Sequence, residues 1–519
     1  MLVLSMNKKR EFKYFLRILV KTVWAAGLMA ILTSCGTSPG YNYTISGTIS
    51  GMIGSGLVLQ DNGGDNRSVT TNGAFAFVTA LTTGTTYSVT VLTQPTNPSQ
   101  TCVVSNSSGT ISGSPVQDVA VSCVMNSSPV TVDPSGYFAY VANSGPGNID
   151  AYTINQTTGA LTLTGTFTAG TYPSQVTVDP SGNFAYVANL GDDTISAYTI
   201  DNTSGSPTYG ELTLTGTFTA GTSPVSVTIY PASSGASAYF AYVPNMGSGN
   251  VSVYTINTNG SLTPSYNTPT VTTGTSPVSV TIYPTSSGAS AYFAYVPNMT
   301  DGTISAYTIN TDGSLTPSYN TPTVAAGTYP VSFTTYTGTS GAYAYVANIG
   351  SGNISLYTIN SDGSLSTNGN AVTADIYPAS VTIYPNSTGS YAYAYVSNMG
   401  SSDITAFEIS PSSGVFETYV PGSNFATGTY PNPVTLYPPL SGAFAYVSDR
   451  NDGNIWVYSI NETNGALTNI QIITTTTGTA SLTTVTIDPN GPYAYVSDVN
   501  TGLVYAFTIN PDGSLTAVP

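Results

Sequence analysis

The chain of 519 residues contains no histidine, and only 8 of its residues are Lys or Arg. Without an imidazole, no side chain titrates near neutrality at its unperturbed pKa, and haem or metal ligation through His is closed. Six of the eight cations, Lys8, Lys9, Arg10, Lys13, Arg17 and Lys21, stand in the first 21 residues, leaving Arg67 and Arg450. Of 24 acidic residues only Glu11 precedes residue 35, so residues 35–519 carry 2 − 23 = −21 formal charges. Such a surface will not hold nucleic acid or anionic lipid headgroups by charge. Cysteine is scarce too: Cys35, Cys102 and Cys123 form no Cys-x-x-Cys, which excludes thioredoxin-like and c-type haem sites. The acids form no Asp-x-Asp-x-Asp-Gly loop, so neither a metal nor a cofactor is expected. Only 6% of residues are charged, and polarity comes from Ser, Thr, Asn, Gly and Tyr, as suits an exported protein.

What the chain has is a repeat. Tyr-Val-x-Asn or Tyr-Val-x-Asp stands at Tyr140, Tyr186, Tyr242, Tyr295, Tyr345, Tyr395, Tyr446 and Tyr495, at steps of 46 to 56 residues. Around the second copy, between Gln175 and Phe218, lie four runs of five to seven residues, rich in Val, Thr, Tyr and Phe and bounded by turn formers. Four short strands per unit of about fifty residues describe the antiparallel blade of a β-propeller. Blades bury both faces only by stacking around an axis. Two units are near copies: Gly221–Met246 and Gly274–Met299 differ only at Ala232 against Thr285. The expectation is an all-β chain whose residues 126–519 make eight, alternatively seven, four-stranded blades. The eighth unit runs out as its fourth strand should begin, and Val124–Ser128 is a candidate to supply that strand. The Asn or Asp closing each motif is expected to bond the following turn; recurring eight times, it reads as structural rather than as a ligand.

This motif and its spacing resemble the YVTN repeats of the lactonase-like β-propeller family, which includes the 6-phosphogluconolactonase type. The resemblance covers residues 126–519 and implies the propeller fold, with lactone hydrolysis as an alternative function. Enzymes of that family are thought to use His, Arg and acidic residues. This chain has no His, and its propeller holds a single cation, Arg450.

Ahead of the repeats, a basic n-region and the apolar run Thr22–Leu32 read as a signal peptide over residues 1–34. Leu32-Thr33-Ser34-Cys35 resembles the lipobox of bacterial lipoproteins, which implies lipidation of Cys35 and a tether over 35–42. Gly36 after the cysteine points, by analogy with enterobacterial sorting, to the outer membrane. Residues 43–125 hold seven strand candidates and read as an immunoglobulin-like or prealbumin-like sandwich. Cys102 and Cys123, both in that module, are expected to form a disulfide.

Two places could carry function. Loops entering the first strand of a blade share a face with those leaving the second, and the former contain Tyr172-Pro173, Tyr329-Pro330, Tyr377-Pro378 and Tyr430-Pro431. A ring of tyrosines with little charge suits stacking on sugars or apolar peptide groups. The other place is Asp449, Arg450, Asp452 and Trp456, the chemically distinct spot of the propeller, which reads more readily as a surface ion pair. The functional expectation is an envelope lipoprotein, a monomer held to the membrane by its N-terminal lipid, presenting a protein- or glycan-binding scaffold.

Overall fold

The computed structural model describes residues 42–519 except 51, 53–55, 96–99, 126–127, 232–238, 266–268, 285–291, 319–322, 387–390, 438–442, 476–479 and 500. Cys35 and the expected leader 1–34 lie outside the described residues, as do Ser127 and Asn126 of the expected latch. All described elements are strands, and no described helix is long and apolar enough to cross a membrane.

Residues 42–125 make two four-stranded sheets and a two-stranded one. One larger sheet orders Gly73–Ala76, Ile45–Ser50, Val116–Met125 and Gln100–Ser105; the other orders Asp65–Val69, Leu57–Asp61, Thr86–Thr93 and Ser108–Thr110. Both feed one apolar cluster that includes Ile45, Leu57, Leu59, Phe75, Val89 and Val121. Cys102 opposes Cys123 on neighbouring antiparallel strands, and the two form a disulfide.

From Thr131 onward, eight consecutive sheets follow, each with its Tyr-Val strand second in order. We number them 1 to 8 in chain order. In sheet 2, Thr177–Val178, Phe184–Asn189, Thr194–Ile200 and Leu212–Thr219 pair antiparallel in sequence. The motif strand is buried on both faces, and its alternation shows why. Tyr186 and Ala188 pack into the core shared with sheet 3, against Ala241 and Val243. Ala185 and Val187 face sheet 1 and meet Tyr140 and Ala142. The large ring of one sheet thus sits over the small side chains of the next, which lets neighbouring sheets interlock without voids.

A second device repeats around the whole assembly. The Thr131 hydroxyl donates to Val176 O, just ahead of the first strand of sheet 2, and Thr177, Thr228, Thr281, Thr334, Thr382 and Thr435 each reach the equivalent carbonyl at the next sheet's first strand. Thr486 of sheet 8 then donates to Val130 O of sheet 1 at 2.6 Å. Tyr186, Tyr242, Tyr295, Tyr345, Tyr395 and Tyr446 place their buried hydroxyls on glycine carbonyls of the following sheet, and Tyr495 closes the series on Gly159 O. The threonine bond therefore joins the last sheet of the propeller ring to its first as it joins all the others, whereas the tyrosine bond is missing between sheets 1 and 2, where the buried Tyr140 hydroxyl has no partner.

The expected latch is not how this happens. Val124 and Met125 pair with Thr101 and Gln100 in the N-terminal module. Sheet 8 instead takes a short outer strand, Leu515–Ala517, from its own end of the chain.

Candidate functional site

On one face, each loop entering a first strand meets the end of the motif strand. Pro173 bridges Asn189, Pro224 Asn245, Pro277 Asn298 and Pro431 Asp449. The residue before that proline has a left-handed backbone: Tyr172 (φ 53°), Ser223 (55°), Ser276 (59°), Tyr329 (55°), Tyr377 (58°) and Tyr430 (57°). This conformation costs a non-glycine residue about 1–2 kcal/mol, so its six-fold recurrence needs a compensating tie. The tie is the carbonyl of that residue, which accepts the N–H of the residue following the motif: Leu190, Met246, Met299, Ile349, Met399 and Arg450 respectively. The four tyrosines therefore hold equivalent rim positions on a clamped backbone. Tyr377 is 46% exposed, with Ile376 beside it 55% exposed, and the other three are half-buried. Tyr329 and Tyr377 share a cavity of about 280 Å³ with Met52, Thr70, Thr71 and Asn72 of the N-terminal module. Tyr172 and Tyr430 do not reach it.

The Asn closing each motif behaves differently from the expectation. Asn189 Nδ2 donates to Thr194 Oγ1 (3.0 Å) and Ser196 Oγ (2.9 Å) on the third strand, and its Oδ1 accepts Gly170 N (3.0 Å) from the entering loop. It thus clamps the neighbouring strand and the entry loop rather than the turn after it; Asn245 and Asn348 do the same, whereas Asn298 and Asn398 hold only the strand, their Oδ1 atoms having no partner. The acids of the loops that leave the second strand are ties as well: Asp192 accepts from Thr171 N, Asp301 from Thr275 N and Asp452 from Thr429 N.

Sheet 7 rewrites this clamp. Asp449 replaces Asn, and the partner seven residues on becomes Trp456, whose Nε1 donates to Asp449 Oδ2 at 2.6 Å. Where the motif ends in Asn, the residue seven on is an acceptor: Asp150, Ser196, Ser252, Ser305, Ser355 or Thr405. Where it ends in Asp, that residue is a donor type, Trp456 or Tyr505. The donor–acceptor polarity is reversed in sheet 7, whereas in sheet 8 the buried Tyr505 hydroxyl makes no hydrogen bond. Asp449 is fully buried, and its Oδ1 has no hydrogen-bond partner. Burial, with Asp452 nearby, pushes its carboxyl up to about 8, against the opposing pull of Trp456 and the Gly428 amide. At neutral pH it is mostly a neutral acid.

Arg450 is 8% exposed, and burial pulls its guanidinium down to about 10, so it remains a cation at neutral pH. The expected surface ion pair is corrected here: both residues lie inside. The reason is positional, because Arg450 takes the place that Leu190, Met246, Met299, Ile349 and Met399 fill in other sheets, all of them buried. Aligning the repeats would have exposed this column as apolar. The exchange of an acceptor for Trp456 seven residues after the motif was likewise present in the sequence.

A further cleft of about 610 Å³ lies between sheets 8 and 1, lined by Asn143, Asp150, Thr166, Asp498 and Thr501 among others. It opens where sheet 1 has no Gly-Thr-Tyr-Pro loop to cover its motif turn.

The model of the lactonase, 7-bladed β-propeller family matches residues 89–229, 121–421 and 436–518. The chain belongs to that family. No curated protein matches it. Its fold is similar to that of Sqt1 from Saccharomyces cerevisiae (14% identity, TM-score 0.51, covering 73% of this chain and 95% of that one). It also matches a candidate 6-phosphogluconolactonase from Bacteroides fragilis NCTC 9343 (19%, TM-score 0.48, 68% and 96%). A third match is the periplasmic gluconolactonase PpgL of Pseudomonas aeruginosa (16%, TM-score 0.46, 66% and 96%). The family is named for seven blades, whereas the described residues from Thr131 onward form eight sheets.

Proposed function

We propose that this lactonase-family member is an eight-bladed binding scaffold. In this reading the two sheets of 43–125 form a sandwich that spaces the propeller from a lipid on Cys35, in the cell envelope and facing the periplasm or exterior. The protein is a monomer, and its ligand is an uncharged glycan or an apolar peptide held on the tyrosine-bearing rim. The observation that carries the reading is the contrast on that face. Four tyrosines are presented on a clamped left-handed backbone, while the acid and the cation that could do chemistry, Asp449 and Arg450, are buried. Rigid aromatic rings bind at low entropic cost and need no countercharge. Calorimetric titration with neutral oligosaccharides and extended peptides tests it. Tyr329→Ala and Tyr377→Ala should each weaken binding by about tenfold, or about 1.4 kcal/mol; unchanged affinity in both would overturn the choice of face.

A second reading, lactone hydrolysis, is favoured by the family itself and by the Asp449 carboxyl, which titrates close to neutrality. Lactone opening needs a base for water and a donor for the oxyanion. Asp449 and Arg450 could fill those roles only if the face above them opened, since substrate does not reach a fully buried carboxyl.

A further inference from the structure

Sheet 8 has an outer strand of half length. In the other seven sheets, the first half of the third strand pairs outward with a second short stretch. Ile149 opposes Phe167, Ile195 Phe218, Val251 Val271, Ile304 Val324, Ile354 Val372, Ile404 Phe425 and Ile455 Ile473. The outer residue is Phe, Val or Ile each time, and the residue after it is Thr or Ala. In sheet 8, Leu515–Ala517 pairs only Phe507–Ile509, and no described residue pairs outward with Val504 or Tyr505.

Three further observations mark the place as unfilled. Each of those Phe, Val and Ile residues packs into a core between neighbouring sheets. The core between sheets 8 and 1 contains none from the outer strand of sheet 8. Accordingly Val504 and Ala506 are half-exposed, whereas their counterparts Ile195 and Ala197 are fully buried. Tyr198, Tyr254, Tyr307, Tyr357 and Tyr458 each donate to a carbonyl at the end of the preceding sheet's outer stretch. Tyr152, their counterpart in sheet 1, has no such carbonyl among the described residues. A cavity of about 290 Å³ occupies the spot, lined by Leu161, Ile473, Val504, Tyr505 and Val518 among others.

We propose that this groove takes an extended segment of a partner protein, added as an antiparallel strand beside Val504–Ala506. Strand addition draws affinity from backbone hydrogen bonds and specificity from alternate side chains. The seven filled copies state the chemistry of the occupant: uncharged, with Phe, Val or Ile flanked by Thr or a small residue. The tether Gly36-Thr37-Ser38-Pro39-Gly40-Tyr41 contains no such residue, and Val124–Met125 is already paired elsewhere. In sheet 3 the outward N–H of Val253 donates to Pro269 O at 3.0 Å, which assigns the equivalent free donor to Ala506.

The test uses the full chain and a synthetic peptide with the sequence of residues 265–275, which contains Thr270-Val271-Thr272. Saturable binding is expected, with amide exchange at Val504–Ala506 slowed by about tenfold or more. A peptide carrying Val271→Asp should bind at least about tenfold more weakly. Ala506→Pro removes the outward donor and should abolish binding. Because proline within a strand also weakens the sheet, a second chain extended past Pro519 by the sequence of residues 267–275 serves as control and should melt higher and refuse the peptide. Absence of binding together with an unchanged extended chain would overturn the proposal. So would a homodimer that protects the same amides unaided, or protection without peptide that vanishes when residues 36–41 are deleted.

Discussion

Replacing Asp449 by Asn separates its ionisation from its place in the structure. Asn has nearly the same shape, and its amide oxygen can still accept from Trp456 Nε1, so that hydrogen bond is kept while the titration is removed. The folded carboxyl has its pKa raised from 3.8 to about 8. Between those values the folded state holds a proton that the unfolded state has released. Stability is therefore complete at low pH, falls as pH rises from about 4 to about 8, and is flat above that. At about 1.4 kcal/mol per unit, four units bound the loss at about 6 kcal/mol, an upper figure for a group that can also relax. Trp456 donates to this carboxyl and, outside the first 34 residues, is the sole tryptophan, so its emission reports the event directly. The chain without residues 1–34 should show an emission titration with a midpoint near pH 8 that Asp449→Asn abolishes. The pH dependence of the melting midpoint should flatten in the same variant. A midpoint near 4 to 5, or one that survives the substitution, would refute the burial argument.

Other outcomes follow from the ring and its cores. Thr486→Val deletes one of the hydrogen bonds that join sheet 8 to sheet 1, and should lower stability by about 1 kcal/mol in thermal melts, as Thr334→Val should within the ring; an effect at Thr334 alone would deny closure between sheets 8 and 1. Loss of the Cys102–Cys123 disulfide through paired Ser substitutions should cost the N-terminal module about 3 kcal/mol, read by denaturant unfolding. Deleting residues 247–299, one copy of the near-duplicated unit, should leave a soluble β-rich chain with a cooperative melt, because the joined surfaces are almost the same; aggregation would show that the ring size is rigidly set.

The fold was readable because propellers write each sheet in the same short code. Tyr and Ala alternate to interlock neighbours, and the Val-Thr pair ahead of the motif supplies the ring of threonine bonds. The tyrosine loops could be placed on one face from the repeat alone. Their left-handed backbone could not, since a residue before proline ordinarily favours extended geometry and the compensating bond comes from a chain segment about twenty residues away. Arg450 was hidden by its charge: read alone it belongs outside, and only its column of Leu, Met and Ile counterparts reveals that it is inside. The half-filled edge of sheet 8 became visible only from the pairing, where Val504 is left without the neighbour that its seven counterparts have.

The most direct test of the scaffold account is lactone hydrolysis by the purified chain, with 6-phosphogluconolactone and neutral lactones as substrates and Arg450→Ala as the paired variant. The account predicts rates at background for all of them, because the acid and the cation of the rim are buried beneath it. Turnover well above background that collapses on replacing Arg450 would contradict it and make sheet 7 an active site.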